Sequence, residues 1–480
     1  MGVREVEETL SWLASLKTWG KNTAINDNGC IVSYLELSKL IDANYLRLKA
    51  LTESESNRKA GTTNLDRPLV VLSMGNSLVS VVHYLTCLSA GWPVILINPK
   101  LSNDATNSLL KDYRPNFLLR ESQVDVLSLT QHSIAQSLAV IMMTSGSTGG
   151  GKGVALSASN IEANTNSICQ FLPINSNDIA LASMPLSYSY GLSILHTHLA
   201  KGACTALTSF TVMDREFWTL LETLPVTSLA GVPHWYDMLI RLRFTRRHLP
   251  HLRYITQAGG RISEDTANAL SEFAEKNASP FYRMYGQTEA TARIAWLSPE
   301  LASVKLDSIG KAIPGGELCL KDETGHVIQG AGVEGELHFK GNNCMLGYVN
   351  NIDQCASFSP LSSLATGDIA KRDEDGDYMI VGRIKRIVKP LGERINLDGL
   401  EAMFCSKLLD VKCCGNDSVL YICCRPDNKA NVDAQCEALL SIPPSYFKVV
   451  TVAQWPLLHN GKTDYVALQK QVEGILNDTP

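Results

Sequence analysis

No charge of one sign dominates this 480-residue sequence: 43 Lys and Arg face 48 Asp and Glu, a formal net charge of -5. That balance removes the basic footprint a dedicated nucleic-acid binder needs, and no nucleic-acid partner is expected. Glycine (34) and proline (19) stand at the level of ordinary soluble proteins, and 45% of the residues are hydrophobic. Collagen-like, low-complexity and largely disordered classes are thereby excluded. Long apolar runs are scarce. The longest, Leu78 to Ile97, is broken by His83, Thr86 and Gly91-Trp92-Pro93, and reads as helix, turn and buried strand instead of a membrane span. The amino-terminal MGVREVEETLSWLASLK lacks the apolar stretch of a secretory signal, and Val6 stands where a myristoylation motif needs Ser or Thr. Thirteen cysteines are scattered with no C-x-x-C spacing, so reduced thiols in a cytoplasmic protein are expected. The pairs Cys413-Cys414 and Cys423-Cys424 would face opposite sides of a strand, which suits small buried residues better than zinc ligands. His196 and His198 in LHTHL are likewise expected to be structural.

Length alone suggests about three core-sized units. Ser33-Tyr34-Leu35-Glu36 has the spacing of a capping box and predicts a helix with Leu37, Leu40, Ile41 and Tyr45 on its periodic positions. A polar stretch over 53–67 precedes a strand LVVLSM, a helix from about Asn76 to Ala90, and a strand PVILI. Continuous apolar strands alternating with a helix predict α/β architecture, with parallel sheet covered on both faces. Residues 330–348 carry alternating Leu and Phe with regular glycines and predict a twisted antiparallel part. From Thr366 on, TGDIAKRDEDGDYMIVGRIKRIV reads as a hairpin turning at DEDGD.

The densest chemical signal is Thr144-Ser145-Gly146-Ser147-Thr148-Gly149-Gly150-Gly151-Lys152-Gly153, fed by the apolar run AVIMM. Glycines let backbone amides turn toward a phosphate chain, hydroxyls donate to its oxygens, and Lys152 adds a point charge. The P-loop of kinases and GTPases requires Ser or Thr after that Lys; Gly153 stands there instead. Glu289 offers a hard oxygen suited to Mg2+, Asp368 can accept both hydroxyls of a ribose, and Arg383 can donate to the same sugar. Lys462, beyond a glycine in a polar segment, could bring an ammonium onto a phosphate. Taken singly, each of these is equally a helix-end acid, a turn Asp, a strand-edge Arg or a solvated Lys.

The phosphate loop resembles that of the adenylate-forming superfamily of acyl-CoA synthetases, luciferases and peptide-synthetase adenylation domains, with Gly151 in place of the family's Pro. Further resemblances follow in the family's order: Tyr285-Gly286-Gln287-Thr288-Glu289, Gly335-Glu336-Leu337, Thr366-Gly367-Asp368, Gly382-Arg383-Ile384-Lys385 and Asn460-Gly461-Lys462. The resemblance implies a large ATP- and acid-binding domain over 1–385, of parallel α/β sheets plus a small antiparallel part. A small mobile α+β domain over 386–480 would follow, pivoting at Lys385. It assigns catalysis to Lys462, Thr288 and Glu289, with Glu289 also holding Mg2+. ATP contacts fall to Thr144, Ser145, Gly146, Ser147, Thr148, Gly149, Lys152, Gly259, Gly260, Tyr285, Gly286, Asp368, Ile380 and Arg383.

What is activated is less legible. PLSYSYGL resembles a motif of acyl-activating members with Tyr188 where a His usually stands, and no acid lies between Pro185 and Gly202 to hold an α-ammonium. A small carboxylic acid other than an α-amino acid is therefore expected. Tyr188, Tyr190, His234 and Trp235 are candidate pocket walls. Arg261 would pair with an extra anionic group on the acid, with a surface salt bridge as the alternative. The segment from Gly392 departs from the family pattern at Leu397 and Gly399, on the loop that lines the thiol route in the family. The expected reaction is ATP-dependent formation of an acyl-adenylate, then transfer to a thiol. The texture around PLSYSYGL tilts toward the phosphopantetheine of an acyl carrier protein over free coenzyme A, and a non-catalytic nucleotide-binding regulator is the reading from another class.

Overall fold

The structure is a computed structural model that describes residues 10–58, 65–121, 123–144, 152–388, 390, 395–440, 442–458 and 462–477. A seven-stranded sheet has at its centre the parallel strands Phe117–Arg120, Val70–Ser73, Val94–Ile97 and Leu138–Met143. Side chains of successive strand residues point to opposite faces, and here both faces are buried: Val70, Leu72, Val94 and Leu96 enter one core, Leu69, Val71, Ile95 and Ile97 another. The helix Leu78–Ala90 joins two of these strands. Ser77 caps it by accepting from the Ser80 amide, and Gly91 ends it at φ 66°.

A larger sheet of 14 strands changes character along its width. Thr23–Asp27, Cys204–Leu207, Ile179–Ala182, Ser228–Gly231, Tyr254–Gln257 and Phe281–Tyr285 run parallel. Ala295–Leu297, Ser308–Ala312, Tyr378–Arg383, Leu364–Arg372, Gly335–Gly341 and Gly316–Lys321 then continue it antiparallel. The hairpin expected from Thr366 is present, with its turn clamped by Lys305, whose ammonium lies 2.8 Å from both Asp373 and Asp375 and also pairs with Asp377.

The region over 330–348 does not form one antiparallel unit. Gly335–Gly341 belongs to the large sheet, whereas Gly347–Val349 crosses to the seven-stranded sheet and pairs with Gly153–Ser157. Gly153 permits the crossing, since a Cβ there would lie 2.9 Å from the Val349 carbonyl and 2.6 Å from the Tyr113 hydroxyl. The strand that leaves the glycine-rich loop is thus stitched to a segment almost two hundred residues away.

Beyond the large sheet, Val411–Gly415, Leu420–Cys424 and Phe447–Thr451 make a three-stranded sheet with its own cores. Cys413 and Cys424 enter the core beneath the helix Leu397–Cys405, and Cys414 and Cys423 enter the core on the helix Tyr465–Asn477. Adjacent cysteines do face opposite sides, all buried. His196 and His198 are buried too, and burial pulls the His196 imidazole down to about 3, consistent with a structural pair. Among the described residues no helix is long and apolar enough to cross a membrane.

Candidate active site

The strand Phe281–Tyr285 ends at the carboxyl edge of the parallel half-sheet, where α/β sheets place ligands. Tyr285 donates its hydroxyl to Asp368, and Arg383 Nε donates to the other carboxylate oxygen at 3.0 Å. The hairpin register places Asp368 directly opposite Arg383, so backbone pairing fixes the contact before the side chains make it. The Asp368 amide donates to the Thr366 hydroxyl at 3.2 Å. Burial, and then the Asp368 charge, push the Tyr285 phenol far above its ordinary range, so it remains a donor. Asp368, itself buried, is a fixed anion with lone pairs to spare, which suits vicinal hydroxyls. Ile380, like Tyr285, packs against the core of Leu320, Leu337, Ala370 and Tyr378.

After Tyr285 the chain folds tightly back. A Cβ on Gly286 would sit 1.8 Å from the Ala292 carbonyl, so only glycine fits. Thr288–Ala290 makes a single 3-10 turn, and Thr291 takes a left-handed φ of 60°. Asn343, buried, holds that turn by donating to the carbonyls of Ala290 and Arg293, each at 2.8 Å, and its own carbonyl accepts from Thr291 Oγ1 at 2.7 Å. The turn sets Thr288 Oγ1 3.3 Å from Ser189 Oγ and Glu289 beside Tyr348, whose hydroxyl donates to Oε1 at 2.8 Å. Lys152 Nζ stands 5.0 Å above the Tyr348 ring. Tyr348 therefore couples the lysine after the glycine-rich loop to Glu289, a role nothing in its local sequence announced. The base of that loop is pinched where the Thr144 amide and hydroxyl both donate to the Lys152 carbonyl at 3.0 Å. The donor set on Glu289 and Thr288 is all hard oxygen, and Glu289 keeps a second carboxylate oxygen beyond its bond to Tyr348; both fit Mg2+. The only cluster of three or more acidic, His or Cys ligands among the described residues, Asp373, Asp375 and Asp377, is already taken by Lys305.

Lys462 reaches this corner from the small domain. Leu457 and Thr463 face each other across a tight return, where the Leu458 amide donates to the Lys462 carbonyl at 2.8 Å and the Asp464 amide to that of Pro456 at 2.8 Å. The Lys462 Cε lies 4.0 Å from where a Cβ on Gly260 would be. Burial and the neighbouring Arg383 pull its ammonium down to about 8, with Asp368 opposing. The motifs passed over two residues here, Arg386, which ties the small domain together internally, and Asn396, which reaches across to the large one. Arg386, next to Lys385, pairs with Asp398 and Glu401, donates to the Cys413 carbonyl at 3.1 Å and stacks 3.5 Å from the centre of the Tyr465 ring. Asn396 caps the helix Leu397–Cys405 and donates to the Val381 carbonyl at 2.8 Å. Lys385 itself is exposed in the 3-10 turn Ile384–Arg386.

On the acyl side, Gly259 (φ 88°) and Gly260 follow the strand Tyr254–Gln257, and the Tyr188 hydroxyl lies 3.1 Å from a Cβ placed on Gly259. Tyr188 thus stands next to Gly259. Tyr190 is one helical step deeper, with its hydroxyl 2.8 Å from Thr256 Oγ1. Asn76 fixes this segment from the other sheet, accepting from the Leu186 amide and donating to the Ala182 carbonyl at 2.8 Å. Three expected pocket residues are corrected. Arg261 points outward and pairs with Asp307 at 2.5 Å, both about 61% exposed, because the chain turns to the surface directly after Gly260. His234 is exposed on the helix Pro233–Arg241. Trp235 packs edge-on against Phe217 and Tyr236 and over Gly231, so it is chiefly core. Sequence reasoning missed Arg293, which is buried beneath Tyr190. Ser145, Gly146, Ser147, Thr148, Gly149 and Gly392 lie outside the described residues.

Known proteins resemble this chain in sequence and share its fold. The sequence model of the AMP-binding enzyme family matches residues 129–349. The 2-succinylbenzoate–CoA ligase of Staphylococcus epidermidis is 25% identical over 476 residues, covering 92% of this chain and 94% of the ligase. Among solved structures, o-succinylbenzoate CoA synthetase from Bacillus subtilis in complex with ATP and magnesium ion superposes with a TM-score of 0.75 at 22% identity, covering 96% and 99% of the two chains. ATP-bound MatB from Rhodopseudomonas palustris gives 0.79 at 19% identity over 97% and 99%. With the motifs in order along a fold that brings them to one cleft, residues 129–349 match the AMP-binding enzyme family and the chain as a whole resembles the adenylate-forming enzymes.

Proposed function

We propose that the chain is an AMP-forming acid–thiol ligase that joins a small carboxylic acid to coenzyme A. The observation that carries this reading is the seating of Lys462 at Gly260, beside the corner of Tyr285, Asp368 and Arg383. A carboxylate attacking the α-phosphorus of ATP approaches against like charge, so a partly desolvated ammonium at that point offsets charge that grows in the transition state. Asp368 orients the ribose, and Lys152 and the glycine-rich loop receive the phosphates. Mg2+, when held by Glu289 and Thr288, supplies charge neutralisation on phosphate oxygens. The carboxylate oxygen bonds to the α-phosphorus, the bond to pyrophosphate breaks, and the acyl-adenylate remains. A thiolate then attacks the acyl carbon and AMP leaves.

Coenzyme A replaces the carrier protein expected from the texture of the acyl-side motif. Relatives that span nearly the whole chain are CoA ligases, and the family-wide motifs on which the expectation rested do not distinguish the two thiols. The small domain, bounded near Lys385, would rotate between the half-reactions and carry Lys462 away. Two measurements test the reading. Acid-dependent exchange of labelled pyrophosphate into ATP should occur, and thioester should form with coenzyme A but not with a phosphopantetheinylated carrier; exchange with no acid at all would sink it. Lys385→Pro, which removes φ freedom at the pivot, should spare exchange and reduce thioester formation by about tenfold or more.

A further inference from the structure

Asn396 is bonded on both sides of the pivot at Lys385. Its Oδ1 accepts from the amides of Asp398 and Gly399, at 3.1 and 3.2 Å, and so caps the helix Leu397–Cys405 of the small domain. Its Nδ2 donates to the Val381 carbonyl at 2.8 Å, on the strand of the large domain whose Arg383 pairs with Asp368. The carboxamide fills a notch left by Gly382, where a Cβ would lie 2.3 Å from Nδ2 and 2.4 Å from Oδ1. Serving both ends takes an amide: a carboxylate could cap but not donate, and a serine hydroxyl ends one bond nearer its own backbone. From this cap a continuous set of contacts runs toward Lys462. Glu401, on the same helix, accepts from the Tyr465 hydroxyl and from the Cys413 amide, each at 2.7 Å. Arg386 pairs with Asp398 and Glu401 and stacks on the Tyr465 ring. Tyr465 opens the last helix, three residues after Lys462. The helix that Asn396 caps and the segment that carries Lys462 are thus tied into one body, and the bond to Val381 joins that body to the large domain in the pose that sets Lys462 at Gly260.

We infer that Asn396 is a positioning residue for the first half-reaction: by bridging the capped helix to the Val381 carbonyl it holds the small domain where Lys462 serves adenylation, and breaking this bridge is part of the step between the half-reactions. The inference rests on the acid-activating reading above and on Lys385 as the pivot. It follows from the geometry because Val381 precedes the pivot and Asn396 follows it, so a rotation at Lys385 that carries Lys462 off Gly260 also draws Asn396 off Val381. A hydrogen bond is a suitable size of link, since it biases the pose without trapping the enzyme in it.

The test separates the two half-reactions in three variants. Asn396→Asp keeps an acceptor for the cap but turns lone pairs toward the Val381 carbonyl, Asn396→Ser caps without reaching that carbonyl and adds no charge, and Asn396→Ala loses both bonds. Pyrophosphate exchange is measured with whichever of acetate, malonate, benzoate and phenylacetate the wild type exchanges fastest, and thioester formation is measured from the synthetic adenylate of that acid and coenzyme A. In Asn396→Asp exchange should fall about tenfold, while thioester formation equals or exceeds that of the wild type and the melting temperature is unchanged. Asn396→Ser should show the same split at about fivefold, and Asn396→Ala should add a lowered melting temperature. A purely capping role would leave Asn396→Asp and Asn396→Ser like the wild type in both half-reactions, and that outcome overturns the inference; so does an equal fall in the two half-reactions. Should Asn396→Asp fail to fold, Gly382→Ala decides, because its methyl group displaces the carboxamide from the notch with Asn396 itself retained: the same split is expected, and unchanged exchange overturns the inference. Wild-type exchange that no Asn396 variant alters sinks the positioning role and leaves acid activation intact. Exchange by the wild type with none of the four acids would count against acid activation itself and take the inference with it.

Discussion

The corner around Asp368 and the surroundings of Arg293 satisfy their charged groups in opposite ways. At Asp368 the anion is matched twice, by Tyr285 and by Arg383, before any ligand arrives. At Arg293 the cation is buried with a π face and one long contact to Ser193. In the proposed function a corner that takes the nucleotide gains from being finished in advance, because preorganised groups need no reorganisation on binding. A buried cation left short of partners instead carries a desolvation cost that only part of its surroundings offsets.

This contrast can be broken at several points. The largest effect should come from Lys462→Ala, which removes the cation that answers charge growing in the transition state; pyrophosphate exchange should fall about 10²–10³-fold while ATP still binds. The sign of its pH dependence follows from the lowered pKa. The ammonium is lost as pH rises through about 8, so kcat/KM for exchange should decline above that pH by about tenfold per unit, and a flat alkaline limb would remove Lys462 from the chemistry. Asp368→Ala should raise KM for ATP by about 10- to 100-fold with less change in the acid's KM, since it unpairs Tyr285 and Arg383 on the nucleotide side alone. Asn343→Ala strips the donor from two buried carbonyls in the turn that aims Glu289, and should cost about 1–3 kcal/mol in chemical denaturation. Smallest of all, Arg261→Ala removes an exposed pair from the rim and should change exchange by less than about twofold; a large loss would restore Arg261 to the acyl pocket.

The convergence of Tyr285, Asp368, Arg383 and Lys462 was legible in the sequence as motifs in order, and some residue types there are tied to backbone geometry, as Gly286 is by the Ala292 carbonyl. The acyl wall was not. Arg261 is adjacent in sequence to two cleft glycines but leaves the site within one residue, whereas Arg293 stands four residues beyond Glu289 and is folded inward by a turn whose clamp, Asn343, is fifty residues away. Asn76, Tyr348 and Arg386 escaped for the same reason: each acts on a segment far from it in sequence. A signal was available for Arg293, a lone arginine in the apolar context of TARIAW, but charge in a sequence does not say which side of the backbone it will face.

The sequence by itself therefore determined the fold class, the order of the nucleotide motifs and the opposed burial of the paired cysteines, because these depend on periodicity, glycine geometry and contiguous segments. Only the tertiary structure decided that Arg261 turns to solvent while Arg293 is buried, how Tyr348 ties Lys152 to Glu289, and where Lys462 rests. Those depend on side chains meeting from distant parts of the chain, and the free energy of such contacts is fixed by burial and pairing that no local pattern encodes.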